Sequence, residues 1–279
     1  MVKHGVDFPP FEEFADPRFM AELAYEAEQA GWDGVFTWDH VWLGMKEPFA
    51  DPWVALSAVA MRTERVRIGA MVTPLARRRP WQVARATVSL DHLSDGRLIF
   101  GAGLGSPPDA EFGVFGEETV NKIRARKLDE GLDVLAGLWS GKPFSYEGEE
   151  YRIDDVTFLP KPVQQPRIPV WVGGQWPNRA PFRRAAHWDG AFPTANDGNT
   201  PITPDILREV GDYVGAHRTS DGPYDMVAGV ENPMDDPSEV SDRIAALEEA
   251  GLTWAIYSFG SWNGTIEGTR DRIRQGPPR

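Results

Sequence analysis

Gly34-Val35-Phe36-Thr37-Trp38-Asp39-His40 reads as a short apolar strand that ends abruptly in an acid and an imidazole. Val35 to Trp38 is apolar and β-branched and is bounded by Gly34, the composition of a strand buried on both faces in a parallel sheet. In alternating α/β folds chemistry collects where such strands leave the sheet, and Asp39-His40 falls at that end.

Working outward, the flanking segments repeat one beat. Val2–Phe8 is predicted as a strand. Asp16 is placed to cap, and Pro17 to open, a helix whose Phe19, Met20, Leu23, Ala24, Ala27 and Ala30 share a face before Gly31. Downstream come a helix from Trp53 to Met61, a strand over Val66–Val72 and a helix from Pro80 to Leu93. A glycine-rich strand follows over Arg97–Gly105, then a long amphipathic helix from Thr119 to Trp139. Phe144–Phe158 breaks the rhythm, with Tyr146-Glu147-Gly148-Glu149-Glu150-Tyr151 predicting an inserted surface hairpin. The beat resumes with strands over Ile168–Val172, Gly190–Pro193, Met226–Val230 and Thr253–Phe259, with helices over 179–187, 204–217 and 237–250, and the tail from Thr265 predicts a closing helix. Eight strands alternating with about eight helices in 279 residues predict a (β/α)8 TIM barrel, a fold that uses about 250. An open doubly wound sheet is the alternative. With no internal repeat and no low-complexity linker, residues 1–279 are expected to form one domain.

Composition narrows the chemistry. Lys and Arg total 29 against 42 Asp and Glu, a formal net charge of −13, so nucleic acid and anionic membrane surfaces are disfavoured as partners. The absence of Cys rules out thiolate metal sites and a thiol nucleophile and suits a reducing cytoplasm. Neither a signal-peptide h-region nor an apolar run near 20 residues is present. There is no H-E-x-x-H zinc pattern and no G-x-S-x-G elbow. His92 and His187 sit in helix-end contexts that suit packing.

The ordered set of Gly31-Trp32-Asp33-Gly34 running into Trp38-Asp39-His40, then Ile68-Gly69-Ala70-Met71-Val72-Thr73-Pro74, then Leu90-Asp91-His92-Leu93-Ser94-Asp95-Gly96-Arg97-Leu98 into Gly101-Ala102-Gly103-Leu104-Gly105 resembles the bacterial luciferase-like monooxygenase family. Arg126–Gly141, Gln165-Pro166, Ile168–Gly174 and Asp189-Gly190 extend the likeness over nearly the whole chain. The resemblance implies a TIM barrel that binds a reduced flavin or the deazaflavin coenzyme F420 at the C-terminal face of its strands.

Site expectations follow. Imidazole titrates near neutrality, and the resemblance places Asp39 and His40 beside the deazaflavin ring, as catalytic and cofactor-binding residues. It implies a non-proline cis peptide at Ala70-Met71 bulging toward that ring, and an aromatic wall at Trp42. Thr73 offers a hydroxyl to cofactor polar atoms. Gly103 and Gly105 remove side chains where backbone approaches the ring. Gly173-Gly174, read as the end of a strand, offers a backbone nest for phosphate, with Gln175 and Trp176 at the mouth. Sugar-phosphate dehydrogenases among the relatives carry a catalytic Glu where this chain has Ser106, and Asp109 and Glu111 lie nearby. Arg77-Arg78-Arg79 is either a solvated cluster or a holder of anionic cofactor groups. Trp42, Phe49, Trp176 and Trp262 predict an aromatic substrate pocket. The expected activity is hydride transfer between F420 and an organic substrate, by a protein that pairs as a homodimer. The alternatives are an FMN-dependent monooxygenase and, because of Ser106, a cofactor- or ligand-binding barrel without turnover.

Overall fold

In a computed structural model, described here for residues 1–195, 200–230 and 233–278, the strands form a parallel barrel wrapped by helices. The strands are β1 (Lys3–Phe8), β2 (Gly34–Thr37), β3 (Arg67–Ala70), β4 (Thr73–Pro74), β5 (Phe100–Gly103), β6 (Pro143–Glu147), β7 (Arg152–Thr157), β8 (Val170–Trp176), β9 (Gly190–Ala195), β10 (Asp225–Gly229) and β11 (Trp254–Ser258). The helices are α1 (Pro17–Gln29), α2 (Pro52–Arg62), α3 (Pro80–Leu93), α4 (Pro108–Glu111), α5 (Asn121–Trp139), α6 (Arg179–Ala185), α7 (Pro204–Gly215), α8 (Pro237–Glu249) and α9 (Ile266–Arg274).

The sheet order is β3-β2-β1-β11-β10-β9-β8-β5-β4. β3 and β4 are two parts of one barrel strand, interrupted at Met71-Val72. Closure runs through the Thr73–Ala102 pairing of β4 with β5 and an Ile68–Leu98 bridge beneath it. Counted that way the barrel has the eight expected strands, and β6 and β7 form the expected hairpin outside it. The hairpin is tied down by Glu130 of α5, whose carboxylate accepts from the backbone N–H groups of Glu149, Glu150 and Tyr151 at 2.9–3.1 Å.

Capping chemistry sets the helix starts. Asp16 accepts from Arg18 N at 2.9 Å, Asp51 from Trp53 N at 2.9 Å, and Asp236 from Ser238 N at 2.9 Å, each before a Pro at the first helical position.

The barrel interior is an aromatic cluster of its own: Phe36, Met71, Ile99, Trp171, Val227, Trp254 and Ile256, with Phe192 against it. Phe36, Trp171 and Trp254 have ring centroids 5.3–5.8 Å apart. Such bulk fits a narrow barrel because glycines face it. A Cβ on Gly5 or Gly34 would lie 2.7 Å from the Phe36 ring. Alternating small and large inward residues is how a small barrel fills its taper.

One expectation is corrected here. β8 continues through Gly173-Gly174 to Trp176, pairing Gly173 with Phe192 and Gly174 with Pro193, so the two glycines lie inside a strand rather than ending one.

Gly101 tests the packing. A Cβ there would sit 2.1 Å from the Ala70 carbonyl oxygen, a backbone atom that has no room to move. Gly101→Ala is expected to lower unfolding free energy by about 3 kcal/mol, read from the urea midpoint. Gly229→Ala, where a Cβ meets nothing within 4 Å, is expected to stay within about 0.5 kcal/mol.

Candidate active site

The C-terminal mouth of the barrel gathers side chains from the loops after β1, β2, β4, β5 and β11. Asp39, two residues past β2, is buried and its carboxylate is fully engaged. Arg77 donates to Oδ1 at 2.8 Å and to the Asp39 carbonyl at 3.1 Å, while Arg78 donates to Oδ2 at 2.8 Å and Oδ1 at 2.7 Å. Arg77 also forms an ion pair with Glu111 at the end of α4, a carboxylate with no exposed side-chain surface. Glu111 accepts in turn from Val41 N at 3.3 Å and Trp42 N at 3.2 Å. Two acids and two guanidinium groups thus balance, and they lock together the loops that follow β2, β4 and β5.

His40 stands at the edge of this network with its side chain 20% exposed. Its Nδ1 lies 3.1 Å from Glu111 Oε1, but out of line for a straight hydrogen bond, so the nitrogen has no aligned partner. Burial, and then the Arg77 charge, push the imidazole down to about 4, with Asp39 pulling the other way. His40 is therefore neutral at physiological pH, a hydrogen-bonding group rather than a cation. The Trp38 indole stands edge-on to it at 6.0 Å and stacks on Trp262 at 5.7 Å. Trp38 Nε1 donates to Asp7, an inward-facing residue near the end of β1.

Met71-Val72, not Ala70-Met71, is the non-proline cis peptide. Ala70 and Met71 are buried, Met71 in the barrel interior, and the half-exposed residue at the bulge is Val72. Its side chain occupies the room left by two glycines: a Cβ on Gly103 or Gly173 would lie 2.3 or 2.8 Å from it. Those glycines therefore admit Val72. Gly105, at φ +82°, packs against Pro74 and Phe112, and its carbonyl accepts from Arg124 at 3.2 Å. Thr73 is fully buried and its hydroxyl has no partner. Ser106 is exposed at the rim.

Two aromatic expectations change. Trp176 packs outside the barrel, against Phe182 and Tyr213, with its Nε1 donating to Glu209 at 2.9 Å, because inward positions of β8 alternate through Trp171, Gly173 and Gln175. Trp42 is at the rim with its Nε1 turned back onto the Met45 carbonyl at 2.9 Å. Of the arginine run, Arg77 and Arg78 are consumed internally. Arg79 is exposed, 5.8 Å from the Trp81 ring. The sequence alone did not reveal Asp7 and Trp38 as mouth residues, although their positions at strand ends were the available signal.

The profile of the luciferase-like monooxygenase family matches residues 8–214, and the chain belongs to that family. Among curated relatives, an F420-dependent glucose-6-phosphate dehydrogenase of Amycolatopsis mediterranei is 33% identical over 249 residues, 88% of this chain and 72% of that one. The enzyme of the same name from Nakamurella multipartita is 34% identical over 205 residues, 71% of this chain, and the chain spans only 58% of its length. A solved structure of coenzyme F420-dependent tetrahydromethanopterin reductase from Methanopyrus kandleri superposes with a TM-score of 0.79 at 18% identity, over 99% of this chain and 98% of that one, a likeness of fold. No described helix is long and apolar enough to cross a membrane.

Two outcomes test the site. Asp39→Asn removes the charge that holds two guanidinium groups and is expected to cost about 3 kcal/mol of stability, read by chemical denaturation. For His40, the folded value lies below the unfolded 6.5, so between those values the unfolded chain binds more protons and stability rises with pH. The contribution is complete above 6.5 and lost as pH falls toward about 4. His40→Gln is expected to lose less stability than the parent between about pH 7 and about pH 5; an equal or larger loss contradicts a neutral His40.

Proposed function

We propose that the protein is an oxidoreductase that uses coenzyme F420 to move hydride to or from an organic substrate. The observation that carries this reading is His40, neutral and half-buried against Trp38, held at the mouth of a barrel whose curated relatives bear F420-dependent names. The surroundings fit a planar ring. The Val72 bulge gives an apolar step, Trp38 a wall, and the Thr73 hydroxyl a buried polar group lacking a partner. When bound, the deazaflavin supplies a ring carbon that gives or accepts hydride.

In this reading His40 hydrogen-bonds the ring region, and Asp39 acts on it by fixing Arg77 and Arg78 rather than by contact. Ala70 and Met71 shape the floor beneath Val72, Gly103 and Gly173 leave room for that residue, Gly105 turns the chain after β5, and Gly174 within β8 packs against Pro181 of α6. Ser106 and Trp42 stand at the rim. The phosphate and glutamate groups of the coenzyme are assigned to the exposed Arg79 and Arg179, which lie outside the Asp39 network. We also infer a single barrel domain working in the cytoplasm as a homodimer. Pairing is supported by large apolar side chains left exposed on α2, Val54 and Met61, and at Val114, Phe115 and Val120.

Fluorescence titration with oxidised F420 and with FMN tests the reading. Micromolar binding of F420, with FMN at least about tenfold weaker and His40→Ala weakening F420, is expected. Tighter binding of FMN turns the reading toward reduced-flavin oxygenation, and binding of neither overturns it.

A further inference from the structure

Three buried carboxylates surround the mouth, and they differ in what holds them. Asp39 and Glu111 are each paired with arginine. Asp7 is held by neutral donors: its Oδ2 accepts from Trp38 Nε1 and from Ser258 Oγ at 2.8 Å. Its residue is 3% exposed and its Oδ1 is buried without a partner. The register places it opposite Phe36 of β2 and Ser258 of β11, on the inward face that Gly5 shares two residues earlier. A carboxylate so placed, with one oxygen fixed and the other unsatisfied in the interior, is costly to keep unless a ligand or proton meets it.

The sequence of the segments that follow the neighbouring strands also points to the substrate. The segments after β1, β9, β10 and β11, residues 9–16, 196–203, 230–236 and 259–265, contain neither Lys nor Arg but several acids. In (β/α)8 barrels the loops after the last two strands are the frequent phosphate site. Here the segments themselves carry no cation, and the arginines that reach the described part of the one after β10 are engaged, Arg243 by Asp235 and Arg272 by the Pro233 and Gly276 carbonyls.

We propose that Asp7 is the acid–base group of this site and that the substrate is a neutral carbonyl compound or the corresponding alcohol, in contrast to a sugar phosphate; the proposal rests on the F420 reading above. In the reducing direction, hydride from reduced F420 forms the new C–H bond and the carbonyl π pair moves to oxygen. That oxygen takes the proton from Asp7 Oδ1, leaving the coenzyme oxidised and a carboxylate whose charge Trp38 and Ser258 stabilise. Oxidation of the alcohol runs the same transfers backward, with Asp7 as base. His40, lowered well below neutrality, cannot be that proton donor, whereas burial raises Asp7 to about 6, within the range useful for both roles. Across the Trp38 indole stands the titratable His40, and the direct partners of Asp7, Trp38 just after β2 and Ser258 of β11, are neutral.

Asp7→Asn keeps the shape and an oxygen for Trp38 and Ser258. Infrared difference spectra of the cofactor-free protein across pH are expected to show one protonated-carboxyl band titrating near 6, absent in Asp7→Asn. With reduced F420 and a panel of neutral ketones and aldehydes, Asp7→Asn is expected to lose at least about 100-fold in kcat, with F420 affinity and thermal midpoint unchanged, and Asp7→Glu to recover part of it. Glucose 6-phosphate is expected to be a poor substrate. Turnover in Asp7→Asn within a few fold of the parent overturns the role of Asp7, and preference for glucose 6-phosphate, or F420 binding with no turnover on the panel, overturns the substrate class. Failure of the parent protein to bind F420 overturns the F420 reading and this one with it.

Discussion

Arg77 lies between two buried carboxylates, Asp39 from the end of β2 and Glu111 from α4, and the geometry of the mouth hangs on that bridge. Removing two acids and two guanidinium groups from water is expensive, and only mutual pairing with well-placed hydrogen bonds offsets it. The return is geometric. Glu111 grips the backbone of Val41 and Trp42, so three loops that the chain contributes separately become one rigid rim, with His40 at its inner edge. Burial beside this network leaves His40 uncharged, and Arg77 adds to it by repelling a second positive charge.

Below the rim, steric accounting replaces electrostatics. Glycines on the inward faces of several strands make room for Phe36, Trp171 and Trp254, and nearer the mouth Gly103 and Gly173 make room for Val72. Floor and rim therefore have separate causes. Packing sets the apolar step at Val72, while the ion network sets the polar groups of the rim. Asp7 belongs to neither arrangement: it is buried like the floor and acidic like the rim, yet bonded by neutral donors, which is why its chemistry stands apart.

Much of this was legible in the sequence. The strand–helix beat, the proline-led helices after Asp16 and Asp51, the hairpin and the position of Asp39-His40 all rest on local patterns, and local patterns survive folding. What failed needed pairing or partners. Gly173-Gly174 looked like a strand end because glycine weakens a strand in isolation, yet β9 pairs with both. Trp176 looked like a mouth residue until the alternation of β8 fixed its side. The arginine run offered no sign that Arg77 and Arg78 would be turned inward onto Asp39, and Glu111 gave none of reaching His40 from beyond Ser106, since both depend on contacts across about 30 to 70 residues of sequence. The cis bond was expected one residue early, because its location is a property of the bulge between β3 and β4 and leaves no mark in composition.

A crystal structure of the protein with bound F420 bears most directly on the central claim. The account predicts the deazaflavin ring in the barrel mouth, lying on Val72 with its edge toward His40 and with Asp7 on the side left open for substrate. A ring bound elsewhere, or in the mouth but turned so that its reactive carbon faces away from both His40 and Asp7, contradicts it.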